Sequence, residues 1–569
     1  MLSAPEGNNK NVTVQGIFPA DQGHPRKWLI LAAVSLGMFM TLLDLTIVNI
    51  AIPAIIRDLT TTVTAVSWVV NAYSLALAVL FLSTGGFADR FGLKLVFLLG
   101  LGVFSFFSLA CGLAPSAGWL IAFRVLQGIG GAAMAPISLA IIFNVFPRRQ
   151  QAMAVGLWGA LGMVAAAIGP TLGGVLSEYA NWHWVFLINV PIGVVALGVC
   201  WWIVPKGERQ RTSSGVDTVG IAVSAAGLFC LILGLIQANS WGWASPKTLA
   251  LFAIAIASFP LFAWWELRGR TPMFDFRLLR IRSFTFANTT MVLIGAALGG
   301  AIFLLPIFLV SVLGYSEIRA ALAITPMPVV GLLVAPFIGR LVDHIGPRLP
   351  AALGSAFFGA GVLLLAQLGV QSTAISVGWR VAIIGLGMGC VFPAISSAAM
   401  GSLPRRVSGV GSGALNTMRQ IGLSLGIAVL VAIFSQQMIV NITDAVHQSR
   451  NFVESRTGLP VSASRQIEGS LSKALDAARQ NGGSGVSDAL PGAPAAAPGT
   501  PMAREEAEIN GTLDAIFVEN ISNSFKWPYY IAAIVAFLAI VPALFTGRRI
   551  GEHEGHEQKS RTERIAGRT

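Results

Sequence analysis

Long apolar stretches alternate with short polar connections along most of the chain. Each stretch holds about 20 residues, the length that an α-helix needs to cross the hydrocarbon core of a bilayer. Fourteen such stretches predict fourteen membrane-spanning helices, and this even number places both termini on one side of the membrane. The predicted spans lie near residues 28–50, 67–84, 95–113, 119–142, 152–176, 184–204, 218–237, 248–265, 284–312, 319–339, 349–369, 378–400, 410–437 and 528–546.

Composition and charge agree with this pattern and orient the spans. The 569 residues are 54% apolar and 11% charged, whereas soluble domains carry about 25% charged residues. Sixteen Lys and Arg residues fall in connections on the side of the N-terminus, against three on the opposite side, Arg57, Lys247 and Arg319. The positive-inside rule therefore predicts cytoplasmic termini. The net charge of +12 mostly reflects this topology, so a nucleic-acid partner is not expected.

The sequence predicts an all-α polytopic membrane protein with two helical bundles. Six spans each are expected at 28–204 and 284–546, with two additional transmembrane helices within 205–283 between them. Residues 1–27 and 547–569 are predicted to be cytoplasmic tails, the first of them disordered.

The connection before the last span is unusually long. Residues 441–526 are predicted to form a loop outside the cytoplasm, with a Gly-, Pro- and Ala-rich middle that is disordered or extended. Its flanks, 462–480 and 503–526, have helical apolar spacing and predict short surface helices. We interpret the loop as a tolerated insertion, while a role in binding an unidentified periplasmic partner stays open.

A ten-residue motif occurs after the second span and again at the equivalent place in the second half. Its two copies share the frame G-x-x-x-D-x-x-G-x-K/R and contain Gly85, Asp89, Arg90, Gly92 and Lys94 in the first and Gly339, Asp343, Gly346 and Arg348 in the second. The repetition indicates two related halves, each with the same polar turn on the same membrane face. The first glycine allows a close turn, the carboxylate can accept from free amides at a helix start, and the final basic residue favours the cytosol.

The fifth predicted span carries the string GPTLGG. Small residues at three- and four-residue spacing allow close approach of a neighbouring helix, and a proline there removes a backbone hydrogen bond and bends the span. The residues concerned are Gly156, Gly169, Pro170, Gly173 and Gly174. Packing alone would explain Gly156, but a proline followed by two adjacent glycines favours a span that flexes.

Together these strings resemble the major facilitator superfamily, and within it the fourteen-span drug:proton antiporter family. GGFADRFGLK is similar to the loop motif of that superfamily, RVLQGIGGAA to its fourth-span motif, and GPTLGG to a string of its antiporter branches. The first-span string LDLTIVNIAIP, with Thr46, Asn49 and Pro53, is similar to a signature of the fourteen-span branch, as are WHWVFLINVPIG and NTMRQIGLSLG.

The chain departs from the family pattern in some respects. His344 lies in the second loop motif where Arg is usual. The lack of a carboxylate in the tenth span puts dicationic substrates in doubt.

Three charged residues lie well inside predicted spans, away from their ends, namely Asp44, Arg124 and Arg419. A charge at a helix centre costs about 2.5–3.5 kcal/mol on the insertion scale, so each one needs a reason. Asp44 and Arg124 lie at similar depths, and the resemblance implies that their spans line a common cavity. We expect Asp44 to carry a proton in one state and to be a bare carboxylate in another, with Arg124 favouring proton release; a static ion pair is the alternative. Arg419 has no evident acidic partner, and a structural and a substrate-binding role are both open.

The resemblance implies a proton-coupled antiporter of the bacterial plasma (inner) membrane that works by alternating access. Expected substrates are amphipathic compounds, cationic or neutral, with the proton gradient rather than a cofactor as the source of energy. An exporter of an endogenous lipid or metabolite on the same fold is the alternative. A membrane enzyme is not expected, because no Walker, GxSxG or HExxH motif occurs, and the four cysteines lack metal-binding spacing.

Overall fold

The computed structural model describes residues 23–206, 217–269, 272–455, 469 and 501–547, and every regular element in these ranges is a helix. Fourteen helical segments there are long and apolar enough to cross a membrane, which confirms the predicted number of spans. The α-helices are α1 (Lys27–Asp58), α2 (Val63–Phe91), α3 (Leu93–Gly112), α4 (Ala117–Val145), α5 (Gln151–Tyr179), α6 (Trp184–Leu187), α7 (Asn189–Ile203), α8 (Thr218–Trp241), α9 (Pro246–Arg268), α10 (Arg282–Ser311), α11 (Glu317–Ile324), α12 (Pro326–Ile345), α13 (Arg348–Leu365), α14 (Ala374–Gly401), α15 (Ser408–Ser455), α16 (Pro501–Ser524), α17 (Lys526–Leu538) and α18 (Ile540–Leu544).

Some predictions concern parts of the chain outside the described ranges. These are residues 1–22 of the tail that is predicted to be disordered, the tail 548–569, the Gly/Pro/Ala-rich middle of the predicted loop and, apart from residue 469, the surface helix expected at 462–480. Within the described ranges, the sixth and tenth spans are each built from consecutive helices, α6 with α7 and α11 with α12. The apolar segment that contains the fourteenth span, Glu508–Leu544, includes most of α16 together with α17 and α18.

The same helix pairings occur in the first and second halves of the chain. In the first half α1 packs on α5, and α2 and α3 pack on α4; in the second half α10 packs on α15, and α12 and α13 pack on α14. Between the halves, α5 packs on α12 and α2 packs on α15. The second set of contacts therefore repeats the first eight spans later, as expected for two related six-span units.

The two additional spans lie to one side of these units. α8 and α9 pack on each other, and α8 also contacts α2 and α15. Asp217 caps α8 by accepting from the backbone N of Gly220, and Ser245 caps α9 by accepting from that of Thr248. This pair therefore extends the interface between the halves without separating them. We call the face at which α1 begins and α18 ends the terminal face, and the opposite one the distal face.

The turn predicted to begin at Gly85 is in fact shorter. α2 continues to Phe91, and the chain turns at Gly92, whose φ of 101° favours glycine. Gly346, with φ 88°, forms the equivalent turn after α12. Gly85 and Gly339 are therefore helical. Their lack of a side chain serves close helix packing, and that packing holds the last turns of α2 and α12 in helical form.

The prediction of a loop from 441 is also wrong, because α15 is one continuous helix to Ser455. At about 1.5 Å per residue its 48 residues extend about 72 Å, more than twice the roughly 30 Å hydrocarbon core. Buried apolar side chains at helical spacing, including Ile442 and Val446, form a seam with Leu513 and Phe517 of α16. The helix expected at 503–526 is thus present, but it is half of a packed hairpin on the distal face.

We expect Phe517→Ala to destabilise this hairpin by about 3–5 kcal/mol, because the substitution leaves a cavity where the ring is fully buried. Limited proteolysis of the protein in detergent should cut α16 much faster, while the thermal unfolding of the spans changes little. Glu519→Ala, at an exposed position of α16, is the matched control. Equal protease sensitivity of the two variants would contradict the assignment of this seam.

Candidate functional site

Asp44 of α1 and Arg124 of α4 form an ion pair inside the first half. Both side chains are completely buried, and Nη1 of Arg124 donates to Oδ2 of Asp44. The structure therefore brings together the two charges that the sequence places at similar depth. A buried pair of this kind ties α1 to α4, and removing either partner would leave an uncompensated charge.

Three neutral side chains complete the surroundings of Asp44. Gln127 Nε2 donates to Asp44 Oδ1 at 2.9 Å, and Asn189 Nδ2 donates to the same oxygen at 3.1 Å. The Ser108 hydroxyl accepts from both amides, at 3.1 and 3.2 Å, and donates to the backbone O of Phe186 at 2.9 Å. The network thus joins α1, α3, α4 and the sixth span around one carboxylate.

Arg124 has further contacts of its own. Its Nε donates to the backbone O of Val69 at 2.9 Å, its Nη1 also donates to Gln127 Oε1 at 2.9 Å, and its guanidinium carbon lies 4.1 Å from the ring centre of Tyr73. Nη2 is buried and has no hydrogen-bond partner among the described residues. The two N–H groups of Nη2 are therefore available for a water or for a rearranged Asp44 carboxylate.

Sequence reasoning missed the neutral members of this network. Gln127 follows Arg124 by three residues and therefore lies on the same face of α4, a spacing that could have identified it. Asn189 lies in the string WHWVFLINVPIG, but no role for its side chain was inferred from that string. Ser108 carries no such signal, because an isolated Ser inside an apolar run most often bonds its own helix backbone. Their partners become evident only from the packing of α3 and the sixth span.

The first-span and fifth-span motifs meet in the contact between α1 and α5. A Cβ atom on Gly169 would lie 2.0 Å from Thr46 Oγ1, and one on Gly173 would lie 2.5 Å from the backbone O of Ile47. Thr46 turns its hydroxyl to the backbone O of Leu42, at 3.1 Å. The glycines are therefore required for this close helix approach.

The other members of these motifs have different surroundings. Gly156 faces α12, where an added Cβ would lie 2.6 Å from the backbone O of Ala335. Asn49 is exposed and Pro53 lies within α1, whereas Pro170 and Gly174 lie within α5. The fifth span thus contacts α1 through one set of glycines and the second half of the chain through another.

The first copy of the repeated motif clamps the two halves together at the terminal face. Asp89, in the last turns of α2, accepts at 2.7 Å from the backbone N of Gly409 and at 2.7 Å from that of Val410, the free amides at the start of α15. A Cβ on Gly85 would lie 2.2 Å from the backbone O of Gly409. The carboxylate therefore caps a helix of the other half, and the glycine permits the approach.

The second copy makes the reciprocal clamp. Asp343, near the end of α12, accepts at 3.2 Å from the backbone N of Ala152 at the start of α5. A Cβ on Gly339 would lie 2.4 Å from the Cα of Met153. Asn144 of the first half also donates to Ser408 Oγ of the second at 2.8 Å. The halves are therefore closed against each other at the terminal face.

The basic residues of the motif do not join the clamps in the same way. Lys94 Nζ donates to the backbone O of Trp201 and to that of Val204, both at 2.6 Å, and so caps the end of α7 within the first half. Arg90 lies 5.8 Å from the ring centre of Phe91, and Arg348 begins α13.

We expect Asp89→Ala to open the terminal face more readily while leaving cargo affinity intact. Loss of a helix cap costs about 0.5–2 kcal/mol, which corresponds to a shift of about 2- to 30-fold between conformations. Transport rate in vesicles should fall, while cargo binding in detergent stays the same. Asp275→Ala removes an exposed cap that lies within one connection and should change neither quantity. A loss of cargo affinity in Asp89→Ala with an unaltered conformational balance would contradict this assignment.

Arg419 lies apart from the Asp44 network, in α15. It is partly exposed, its Nε is buried without a hydrogen-bond partner, and no acidic partner lies within ion-pair distance among the described residues. In the same part of the chain, no group of three or more His, Cys, Asp or Glu side chains is arranged to hold a metal.

Comparisons with known proteins agree with this architecture. The family model of the Major Facilitator Superfamily matches residues 34–427. The Tetracenomycin C resistance and export protein of Streptomyces glaucescens is 30% identical over 541 residues, covering 95% of each chain. The Multidrug resistance protein Stp of Mycobacterium tuberculosis (strain CDC 1551 / Oshkosh) is 34% identical over 411 residues, covering 72% of this chain and 76% of Stp.

Among solved structures, the human organic anion transporter MFSD10 (TETRAN) superimposes with a TM-score of 0.53 at 16% identity, over 72% of this chain and 93% of that one. At this identity the likeness shows the fold alone. The family match covers most of the chain and agrees with the fourteen spans and the repeated helix pairings. This chain is therefore a membrane transporter that belongs to the Major Facilitator Superfamily.

Proposed function

We propose that the protein is a proton-coupled antiporter that exports amphipathic compounds across the bacterial plasma membrane. The observation that carries the proposal is the completely buried carboxylate of Asp44, held by Arg124 in a network inside the membrane. An ionisable group in such a place is by default a functional one. The names of the two relatives, an export protein and a multidrug resistance protein, support export as the direction.

Protonation of Asp44 changes what holds α1 to α4. The ionised carboxylate pairs with Arg124 and accepts from Gln127 and Asn189. A protonated carboxyl loses the charge attraction but can still accept from the two amides. The guanidinium of Arg124 carries a positive charge, so it attracts Asp44 only in the ionised form. Proton binding would therefore weaken one tie between helices without dismantling the site.

A continuous set of contacts connects this site to the clamps. α1 lies against α5 at Gly169 and Gly173, and the start of α5 is capped by Asp343 from the other half. A shift of α1 on protonation would be transmitted to α5 and from there to the interface at the terminal face. These are spatial contacts, and coupling between them is what the mutational predictions test.

We assign the terminal face to the cytoplasm, as the distribution of basic residues predicts. The described conformation, with both clamps formed, is then closed to the cytoplasm. Opening the clamps would admit cargo from inside, and forming them again would direct it outwards, with proton entry driving the return.

The expectation of cationic cargo relied on a carboxylate open to the cavity. The structure gives Asp44 no exposure and pairs it with Arg124, so in this conformation it offers no free negative charge to cargo. We therefore propose amphipathic character as the property that the site selects, with the charge of the cargo to be decided by experiment.

The decisive experiment is transport by purified protein in proteoliposomes with an imposed pH gradient. Dyes, resistance compounds and fluorescent lipids would be compared as cargo. We expect uphill movement of amphipathic dyes that stops when a protonophore collapses the gradient, whereas a sodium gradient has no effect. Transport of lipid alone would favour the alternative of an endogenous cargo. Uphill transport that persists without a proton gradient would contradict proton coupling.

A further inference from the structure

Arg419 is a cation inside the membrane that, unlike Arg124, has no ion-pair partner among the described residues. Arg419 lies eleven residues after Ser408, about 16 Å from the start of α15 at about 1.5 Å per residue, which is about half of the roughly 30 Å core. It is too deep for its charged end to reach the interface from a helix end. Among the described residues, its buried Nε has no hydrogen-bond acceptor.

Arg419 is neither fully buried nor fully exposed. Its Nε is buried without a hydrogen-bond partner among the described residues, yet the residue as a whole is partly exposed. We infer that the exposed part of this side chain faces the space between the two halves. On neighbouring turns of α15, Gly413 contacts α2 and Gly422 contacts α10, so Arg419 lies on a helix that borders both halves.

The backbone at this position is held firmly. A Cβ on Gly295 of α10 would lie 2.8 Å from the backbone O of Arg419, and one on Gly299 would lie 2.4 Å from that of Leu423. The close helix approach therefore fixes the backbone from which the Arg419 side chain extends. Its guanidinium presents a planar fork of donors, which fits a planar acceptor such as a carboxylate.

We propose that Arg419 binds the anionic group of the cargo, so that the protein transports amphipathic organic acids such as aromatic carboxylates. A carboxylate would accept two parallel hydrogen bonds from the guanidinium and neutralise its charge in the membrane interior. The apolar part of the same molecule would contribute the rest of the binding by leaving water. This inference rests on the proposed export function for its cargo, and it specifies the chemical class.

The test uses matched fluorescent ligands and purified full-length protein in detergent. Pyrenebutyrate carries the carboxylate, pyrenebutanol is its neutral counterpart, and pyrenebutylamine is the cation. Wild-type protein should bind pyrenebutyrate most tightly. Arg419→Gln should weaken pyrenebutyrate binding about 10- to 100-fold, as expected for charge-assisted hydrogen bonds, and change pyrenebutanol binding by less than about twofold. Arg419→Lys keeps the charge but loses the planar fork, so it should give an intermediate value.

Several results would overturn the proposal. Equal weakening of all three ligands in Arg419→Gln would indicate a packing role, and unchanged binding would exclude contact. Displacement of pyrenebutyrate by chloride, together with equal wild-type binding of the alcohol, would indicate an inorganic anion site. If Arg419→Gln does not fold, a wild-type preference for the amine over the carboxylate is sufficient to reject it. These titrations need no proton gradient, so they give an answer even if proton coupling fails.

Discussion

Proteoliposomes containing Asp44→Asn should show no export in response to a pH gradient. The asparagine can still accept from Gln127 and Asn189, but it cannot take up or release a proton. The substitution also leaves Arg124 buried without its counter-charge, which costs about 3–5 kcal/mol. We therefore expect a lower melting temperature together with the loss of transport.

A double variant separates these two effects. Asp44→Asn combined with Arg124→Gln removes both charges, so thermal stability should recover while proton-driven export stays absent. Asp58→Asn is the matched control on the same helix, since Asp58 accepts from Trp182 at 2.9 Å near the end of α1 and should be replaceable. If Asp44→Asn still moved dye uphill with a pH gradient, the proposed role of Asp44 would be wrong.

The second large effect is expected from Gly85→Leu, which should prevent closure of the terminal face. The first added carbon would already lie 2.2 Å from the backbone O of Gly409, and backbone cannot move aside as a flexible side chain can. The clamp between Asp89 and the start of α15 then cannot form, and the protein should stay open to the terminal side. Transport should be lost, whereas binding of cargo in detergent should persist.

Cross-linking can measure this closure directly. Asn144 and Ser408 meet across the two halves with their polar atoms 2.8 Å apart, so cysteines at these positions should react with a short bifunctional reagent only in the closed form. Gly85→Leu should abolish this product. Gly102→Leu, where an added Cβ meets nothing within 4 Å, should leave it intact. Equal cross-linking in both variants would show that the glycine does not control closure.

Much of the architecture could be predicted from the sequence, because membrane spans have a strong one-dimensional signal. The number of spans, the two related halves and the shared depth of Asp44 and Arg124 all come from apolar length, repetition and position. The roles of Asp89 and Asp343 were only half predictable. Their capping chemistry follows from residue type, but the helices that they cap belong to the opposite half. No local pattern predicts that Asp89 contacts Gly409, 320 positions later.

The extent of α15 could not be predicted for a different reason. Beyond residue 440 its sequence is polar on the outside and apolar only along one narrow seam, including Ile442 and Val446. A criterion based on the length of the apolar stretch therefore ends the predicted helix at this point. The helix continues because α16, more than 45 positions later, covers that seam.

The continuity of α15 has a mechanical consequence. α15 is one unbroken helix that begins at the contact with Asp89, passes Arg419 in the membrane interior, and ends in the hairpin with α16. If it tilts as a stiff rod by about 10°, its far end about 72 Å away moves by about 12 Å. Rearrangement at one membrane face would thus become a visible displacement at the other. With the distal face outside the cell, as proposed above, a molecule that binds the hairpin from outside would report the transport cycle and would be expected to stall it.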